Sequence, residues 1–207
     1  MVRALFRLLQ AQSGTITIGD NLMGAGIGSP ADRIDQGLGY LSEDRKGEGL
    51  AVALSVADNV TMTRFGNCSR GGWLNLGRRS SQVEGWIKKL GIRSRGPGQS
   101  VRTLSGGNQQ KAAFARLLYQ DAEVLLLDEP TRGIDVASKS QVYDIIRECA
   151  GQGKAVLFVS SQIPELLGLS DRIAVMSRGR LSSARPVSEW TPESILKAAV
   201  GGEEIDE

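Results

Sequence analysis

The sequence of 207 residues contains no histidine and only two cysteines, Cys68 and Cys149. The lack of histidine excludes histidine general bases, histidine metal ligands and histidine pH switches. Two isolated cysteines are typical of reduced thiols in a cytosolic protein rather than of a disulfide scaffold. No apolar run approaches the roughly 20 residues that a membrane-spanning helix needs.

A further absence is the phosphate-binding pattern G-x-x-x-x-G-K-[ST], which occurs nowhere in the sequence. The stretch from Gly24 to Gly28 is rich in glycine, but no lysine follows it and the sequence predicts no strand immediately before it. We therefore interpret it as a surface turn and not as a phosphate site.

The composition is that of a globular protein, with 41% hydrophobic and 23% charged residues, and the length suits one domain. A net charge of +2 predicts no strong attraction to nucleic acid or to a membrane surface. We interpret Arg70, Arg78 and Arg79 as a solvated face, because no interleaved aromatic platform for nucleic acid accompanies them.

The most informative stretch runs from Leu104 to Asp135 and reads LSGGNQQKAAFARLLYQDAEVLLLDEPTRGID. It begins with a small glycine-rich loop and continues over 108–119 with good helix formers, so we predict a helix capped by Ser105. Successive backbone N–H groups at such a helix N-terminus suit an anion such as a phosphate.

The same stretch then contains the apolar run Val124–Leu127, which predicts a strand buried on both faces of a parallel sheet. Asp128 and Glu129 follow at once, and Pro130 ends the strand. Open α/β sheets bind ligands at the carboxyl ends of their strands, so the two carboxylates are candidate site residues. The alternative is that they merely begin a loop.

The pattern of the whole chain predicts an α/β fold. Apolar runs at Leu38–Leu41 and Ala155–Val159 predict two more strands, and the amphipathic segment Ala137–Ala150 predicts the helix of a parallel βαβ unit. We also predict helices over 1–10, 32–36, 56–62, 80–90, 164–169 and 190–200, strands over 14–20 and 173–176, a loop over 63–77, and a turn at 178–180.

LSGGNQQK followed by LLLDEPTRGID resembles the signature motif, Walker B segment and D-loop of ABC-type ATPases. The NQQK ending and the TRGID wording resemble the C-terminal ATPase half of ATP-binding proteins from ribose, galactose and xylose importers. The resemblance extends from Met1 to about Gly201. It implies a P-loop NTPase-like fold, with a mostly parallel sheet, helices on both faces and a helical subdomain.

The resemblance also implies a domain plan. The chain would be one partial ABC ATPase domain over 1–207, with a helical subdomain over about 56–102 that contacts a membrane permease. The signature, Walker B and D-loop core would occupy 103–180, and a C-terminal helix with an acidic, disordered tail would occupy 181–207. In this family a strand and the P-loop precede the first helix. Both are missing here, so we expect a fragment that begins just after Walker A and is poorly stable alone.

ATP and Mg²⁺ are the cofactors that the resemblance implies. Asp128 would hold Mg²⁺, and Glu129 would be the general base that activates the attacking water. The other residues implied to contact the nucleotide, mainly one bound by the opposite ATPase half, are Ser105, Gly106, Gly107, Gln109 and the D-loop residue Asp135.

Two positions depart from the family pattern. Glu43 matches the usual glutamine of the Q-loop, and its carboxylate could still bind Mg²⁺ directly or through water, although a solvated charged turn is the alternative. Ser161 matches the switch histidine, and its hydroxyl can bond a phosphate but cannot carry positive charge.

The implied partners are a second ABC ATPase half, permease membrane subunits and, indirectly, a periplasmic sugar-binding protein, with no nucleic acid. The implied location is peripheral, on the cytoplasmic side of the inner membrane. Two other interpretations stay open: a non-catalytic ABC module or remnant that only provides a dimer face, and a soluble ABC ATPase acting on DNA or ribosomes.

Overall fold

The computed structural model describes residues 1–19, 21–24 and 28–201, which form two compact units, Met1–Val159 and Ser160–Glu207. The helices of the first unit are α1 (Val2–Leu5), α2 (Pro30–Asp35), α3 (Val56–Thr61), α4 (Leu76–Lys89), α5 (Gly106–Tyr119) and α6 (Val136–Gly151). Its strands are β1 (Thr15–Ile18), β2 (Asn21–Gly24), β3 (Leu38–Leu41), β4 (Ser69–Arg70), β5 (Trp73–Leu74), β6 (Val124–Asp128) and β7 (Ala155–Val159).

A three-stranded parallel sheet with the order β3-β6-β7 forms the centre of the first unit. Leu41 pairs with Leu127, and Asp128 pairs with Val159 at the carboxyl end. The predicted strands and the parallel βαβ unit of β6, α6 and β7 are thus confirmed. Strand β6 extends one residue beyond its predicted end and includes Asp128.

The two faces of this sheet pack against different helices, which confirms the predicted layering. Leu125 and Leu127 contribute to a core with α3, α4, α5 and α6, in which Phe114 is fully buried. Leu126 and Leu38 face the other side, where Val2 of α1 packs. The packing of helices on each face buries apolar surface away from water, and this burial is the main stabilising contribution to folding.

Helix α5 approaches the sheet closely because Gly39 lies beneath it. A β-carbon on Gly39 would lie 2.9 Å from Ala122 Cβ and 3.1 Å from Leu117 Cδ2. A hydrogen bond supports this contact, because the Gln120 side chain donates to the carbonyl of the neighbouring Leu38 at 2.8 Å. Strand β3 and the C-terminal end of α5 are therefore fixed to each other.

Segments from the predicted helical subdomain also hold the C-terminal end of α5. The Arg64 guanidinium donates to the carbonyl of Gln120, and Asn67 Nδ2 donates to the carbonyl of Tyr119 at 3.2 Å. These side chains satisfy carbonyls that have no partner inside the helix. The subdomain limits of 56–102 stay a prediction, and its predicted loop over 63–77 is corrected, because β4 and β5 form an antiparallel hairpin there.

Several predicted element boundaries were wrong. Helix α1 covers only Val2–Leu5 instead of 1–10, since Arg7 adopts a left-handed φ of 67° and Leu9 is 53% exposed. Helix α4 begins four residues before its predicted start, because Asn75 Oδ1 accepts a hydrogen bond from the Arg78 N–H at 2.8 Å and caps the helix there. Asp20, Ala25–Ile27 and 202–207, on which parts of three predictions fall, lie outside the described residues.

The second unit is smaller and contains short elements around Trp190. Its elements are α7 (Ile163–Leu169), β8 (Arg172–Ile173), β9 (Met176–Ser177), β10 (Arg180–Leu181), β11 (Arg185–Pro186) and α8 (Pro192–Val200). The predicted turn at 178–180 is confirmed as the link between antiparallel β9 and β10. The single strand predicted over 173–176 is wrong, because β8 pairs with β11 and β9 pairs with β10.

Within the described part of the chain, no helix is both long and apolar enough to cross a bilayer.

Candidate functional site

The two candidate carboxylates lie where β6 ends. The Glu129 N–H donates to the Val159 carbonyl at 2.9 Å, and Glu129 adopts a left-handed φ of 46°. A non-glycine residue in this conformation is uncommon and marks a backbone that its surroundings hold in place. Burial, followed by the adjacent charge of Glu129, raises the pKa of Asp128.

A polar cavity of about 180 Å³ opens beside Glu129. Three cationic, three anionic and two neutral polar side chains line it: Ser42, Glu43, Asp44, Arg45, Lys46, Gln110, Glu129 and Arg132. The structure thus brings Glu43 and Glu129 to one cavity, although 86 positions separate them in the sequence. Asp128 is not among the lining residues.

Glu43 and Arg132, which both line this cavity, form an ion pair. The Glu43 side chain is 45% exposed, so the alternative of a solvated charged turn stays open. Either role predicted for Glu43, binding Mg²⁺ or contacting the nucleotide, would require its carboxylate to share or exchange that partner.

Arg45 connects the cavity to the glycine-rich loop. Its Nη1 lies 3.5 Å from Gln110 Oε1, and its Nη2 lies 3.3 Å from the position that a β-carbon on Gly106 would take. Burial lowers the pKa of the Arg45 guanidinium. The contact of Arg45 with a helix 65 residues away was not predicted from the sequence, because no local pattern encodes it.

The loop Ser105-Gly106-Gly107 begins α5 as predicted, but the predicted cap is wrong. Ser105 occupies the N-cap position, yet its hydroxyl makes no capping hydrogen bond. The hydroxyl instead accepts from Asn108 Nδ2 at 2.9 Å. Backbone N–H groups in the first turn of a helix have no intrahelical partner, so a loop without a side-chain cap fits an anion.

Asp135 lies next to this loop and begins α6. Its carboxylate accepts from the Ser138 N–H at 2.9 Å and from the Ser138 hydroxyl at 2.7 Å. These hydrogen bonds lower the pKa of Asp135. Gly107 packs on Ser138, so the residues predicted as signature motif and D-loop contact each other within one chain.

Gln109 and Ser161 occupy different surroundings. Gln109 is buried, and its Nε2 donates to the carbonyls of Val101 at 3.1 Å and Leu104 at 3.2 Å, which holds the segment before the loop. Ser161 is exposed in the second unit, two positions after the end of β7. The nucleotide contacts predicted for both residues stay predictions.

The donor set for Mg²⁺ is small. Over the residues that the structure describes, no three acidic, cysteine or histidine side chains converge as a metal cluster. Mg²⁺ is commonly held by one or two carboxylates together with substrate phosphates and water, so Asp128 and Glu43 fit such a role only when a polyphosphate supplies further oxygens.

Comparison with known proteins identifies relatives over nearly the whole chain. Residues 1–132 match the family model described as "ABC transporter". The chain is 41% identical over 203 residues to the ribose import ATP-binding protein RbsA of Halalkalibacterium halodurans. It is 41% identical over 202 residues to a putative ribose/galactose/methyl galactoside import ATP-binding protein of Agrobacterium fabrum.

The alignments cover 98% and 97% of this chain but 40% of either relative, so the chain spans about two fifths of their length. Among solved structures, a dimeric post-hydrolysis state of the ATP-binding cassette MJ0796 bound to ADP and Pi matches with a TM-score of 0.73. That match covers 90% of this chain and 78% of the other at 19% identity, and it supports the fold.

Proposed function

Because this chain belongs to the ABC transporter family of ATP-binding proteins, we propose that it is part of the ATPase that drives import of a monosaccharide. The observation that carries this proposal is the packing of the Ser105–Gly107 loop against Asp135 and Ser138, near the cavity that Glu129 lines. This packing supports the proposal because the residues predicted as signature loop and D-loop contact each other.

ATP with Mg²⁺ supplies the phosphoryl group and the charge neutralisation for hydrolysis. We propose that Ser105, Gly106 and Gly107 bind the terminal phosphate of a nucleotide held mainly by a second ATPase half. The uncapped N–H groups of α5 support this role, because they are oriented donors with a favourable helix dipole.

At the end of β6, Asp128 would hold Mg²⁺ through water, and Glu129 would take a proton from the attacking water. The raised pKa of Asp128 is consistent with a group whose charge is stabilised only when a cation is bound. The remaining proposed contacts with the nucleotide are those of Gln109, Asp135, Glu43 and Ser161.

This sequence contains no P-loop, whose lysine and backbone amides would supply the main grip on the phosphates. We therefore expect the 207-residue chain by itself to show no ATPase activity and little affinity for ATP. Titration with a fluorescent ATP analogue tests this expectation, and micromolar binding would contradict it.

The proposed partners are the second ATPase half, permease subunits and, through them, a sugar-binding protein outside the membrane. The corresponding location is peripheral, on the cytoplasmic side of the cell membrane. These partners are suggested by what the relatives are named for, and sugar selectivity would belong to the other subunits.

A chimera tests the function directly. The segment of the Halalkalibacterium halodurans relative that aligns with this chain is replaced by the chain, and ATP hydrolysis is measured with the matching permease. We expect an active chimera that loses at least about a hundredfold in kcat after Ser105→Arg, which fills the loop with a bulky side chain, or after Glu129→Gln. Glu84→Gln, on the exposed face of α4, is the matched control and should leave the rate unchanged.

The non-catalytic alternative is favoured by the Glu43–Arg132 ion pair and by the position of Asp128 outside the cavity lining. The chimera distinguishes this non-catalytic alternative from the proposed ATPase role. If Ser105→Arg abolishes activity while Glu129→Gln keeps it, this chain supplies only the signature loop. If both variants keep full activity, the proposed ATPase role is wrong.

A further inference from the structure

The hairpin β4–β5 and the first turn of α4 carry apolar and basic side chains together. We call this the hairpin surface and define it by Arg70, Trp73, Leu74, Leu76 and Arg78. Trp73 is 83% exposed, Leu76 67% and Leu74 38%. These three exposed apolar residues lie within the short segment 73–76, and such clustering marks an interaction site more often than scattered residues do.

The charge around this surface is of one sign. Positions 59–83 contain four arginines and no aspartate or glutamate. Arg79 is buried in an ion pair with Asp58, and Arg64 donates to the Gln120 carbonyl. Arg70 and Arg78 are exposed, and within the described residues neither forms an ion pair. This surface is therefore locally basic, although the net charge of the whole chain is only +2.

The register of the hairpin places an indole and a guanidinium on the same face. Arg70 and Trp73 are directly opposite each other in the register. The two glycines between them have φ values of 59° and 81°, which a two-residue hairpin turn requires. Directly opposite residues project to the same face of a hairpin, so one face presents an aromatic ring and a cation together.

We propose that the hairpin surface binds the headgroup layer of a bilayer that contains anionic phospholipids. Tryptophan is enriched at the membrane–water boundary, where its ring lies among headgroups and its N–H remains hydrated. Arginines near an anionic leaflet add electrostatic attraction. Single-stranded nucleic acid fits less well, because it needs successive aromatic rings for stacking and here one tryptophan is followed by leucines.

Co-sedimentation of the chain with vesicles tests the proposal, using phosphatidylcholine alone and phosphatidylcholine mixed with phosphatidylglycerol. We expect binding to the anionic vesicles that weakens with added salt, and a shift of tryptophan emission to shorter wavelength. Trp73→Ala should abolish the shift, because Trp190 is buried and Trp86 is partly buried. Arg70→Glu should lower the partition coefficient at least about tenfold.

The matched controls are Arg180→Glu, at an exposed arginine of β10, and Leu196→Ala, at an exposed leucine of α8, and both should bind like the wild type. All four substitutions are on the surface, and circular dichroism checks that each variant folds. The vesicles contain no permease, so the outcome is independent of the proposed importer function. Equal binding to neutral vesicles, or wild-type binding by Trp73→Ala and Arg70→Glu, would overturn the proposal. So would dependence on these two residues for binding an oligonucleotide but not vesicles.

Discussion

Gly107 packs on Ser138 so closely that a β-carbon on Gly107 would lie 2.0 Å from the Ser138 hydroxyl oxygen and 2.5 Å from Ser138 Cβ. Ser138 is in turn held by both carboxylate oxygens of Asp135. The glycine is therefore required at this position by a neighbouring element and not by its own backbone conformation. The contact sets the distance between the N-terminal ends of α5 and α6.

Gly107→Ala should destabilise the protein, because the added methyl group would overlap Ser138 Cβ, which cannot rotate away from it. We expect a loss of about 1–3 kcal/mol in the free energy of unfolding, measured by urea denaturation. Gly85→Ala is the matched control, since no atom lies within 4 Å of its added methyl group, and it should stabilise α4 by about 0.5–1 kcal/mol. Combining Gly107→Ala with Ser138→Gly should restore part of the loss, and strictly additive effects would contradict the contact.

Asp128→Asn should stabilise the protein at neutral pH. The raised pKa of Asp128 means that the folded state binds the proton more tightly than the unfolded state does. The tighter protonation of Asp128 contributes its whole stabilising effect below the unfolded carboxyl pKa of about 3.9. This effect is lost as pH rises through the pKa of the folded state. We expect a gain of about 1 kcal/mol at pH 7 that disappears in acid, measured by urea denaturation at both pH values. Glu84→Gln should show no such gain, and a destabilising Asp128→Asn at pH 7 would contradict the argument.

The left-handed backbone of Glu129 predicts an unusual order of stability between two variants. Both Glu129→Gln and Glu129→Gly remove the carboxylate, but only glycine adopts a φ of 46° without steric cost. Glu129→Gly should therefore be more stable than Glu129→Gln by roughly 1 kcal/mol, measured as the difference in midpoint of thermal or urea unfolding. At Glu123, which is not in the left-handed region, the same pair should have the opposite order.

Arg79→Met should be strongly destabilising. The buried guanidinium pairs with Asp58, and its Nε donates to Thr61 Oγ1 at 3.1 Å. Removing the guanidinium leaves the Asp58 carboxylate without its ion-pair partner and the Thr61 hydroxyl without a donor. This loss should cost about 2 kcal/mol in the free energy of unfolding. Arg78→Met, at the exposed neighbouring position, should change stability by less than about 0.5 kcal/mol.

The pH dependence of that loss follows from Asp58. Burial raises its pKa, but hydrogen bonds from Ser55 and Arg79 together outweigh burial, and the pKa is lowered overall. A lowered carboxyl pKa gives stability that is present above the unfolded pKa and lost as pH falls through the folded pKa. The difference between Arg79→Met and the wild type should thus shrink in acid, and a constant difference would contradict the pairing.

The parts of the fold that the sequence predicted are those with a strong local pattern. The runs Leu38–Leu41 and Ala155–Val159 are strands at those positions, because buried parallel strands are continuously apolar. The motif stretch placed α5 and β6 to within two residues. Local patterns did not predict that one left-handed residue, Arg7, ends α1. They also did not predict that β8 and β9, which follow each other along the chain, pair with different strands.

The candidate site was predictable only in its motif residues. Glu129, which lines the cavity, was predicted because two carboxylates follow a buried strand, whereas Asp128, predicted on the same ground, does not line it. Arg45 and Gln110 were missed, since their contact depends on how α5 packs against the segment after β3. The use of the Ser105 hydroxyl was predicted wrongly for a local reason, because it accepts a hydrogen bond from Asn108, three residues on, and not from a backbone N–H.

Helix α5 is held at both of its ends. Arg64 and Asn67 bind the last carbonyls of a rod that is about 21 Å long, and near the other end Gly107 packs on Ser138. A load placed on the hairpin of β4 and β5 would therefore be passed along the whole rod to α6, and Ser105 and Arg64 would move as parts of one rigid piece.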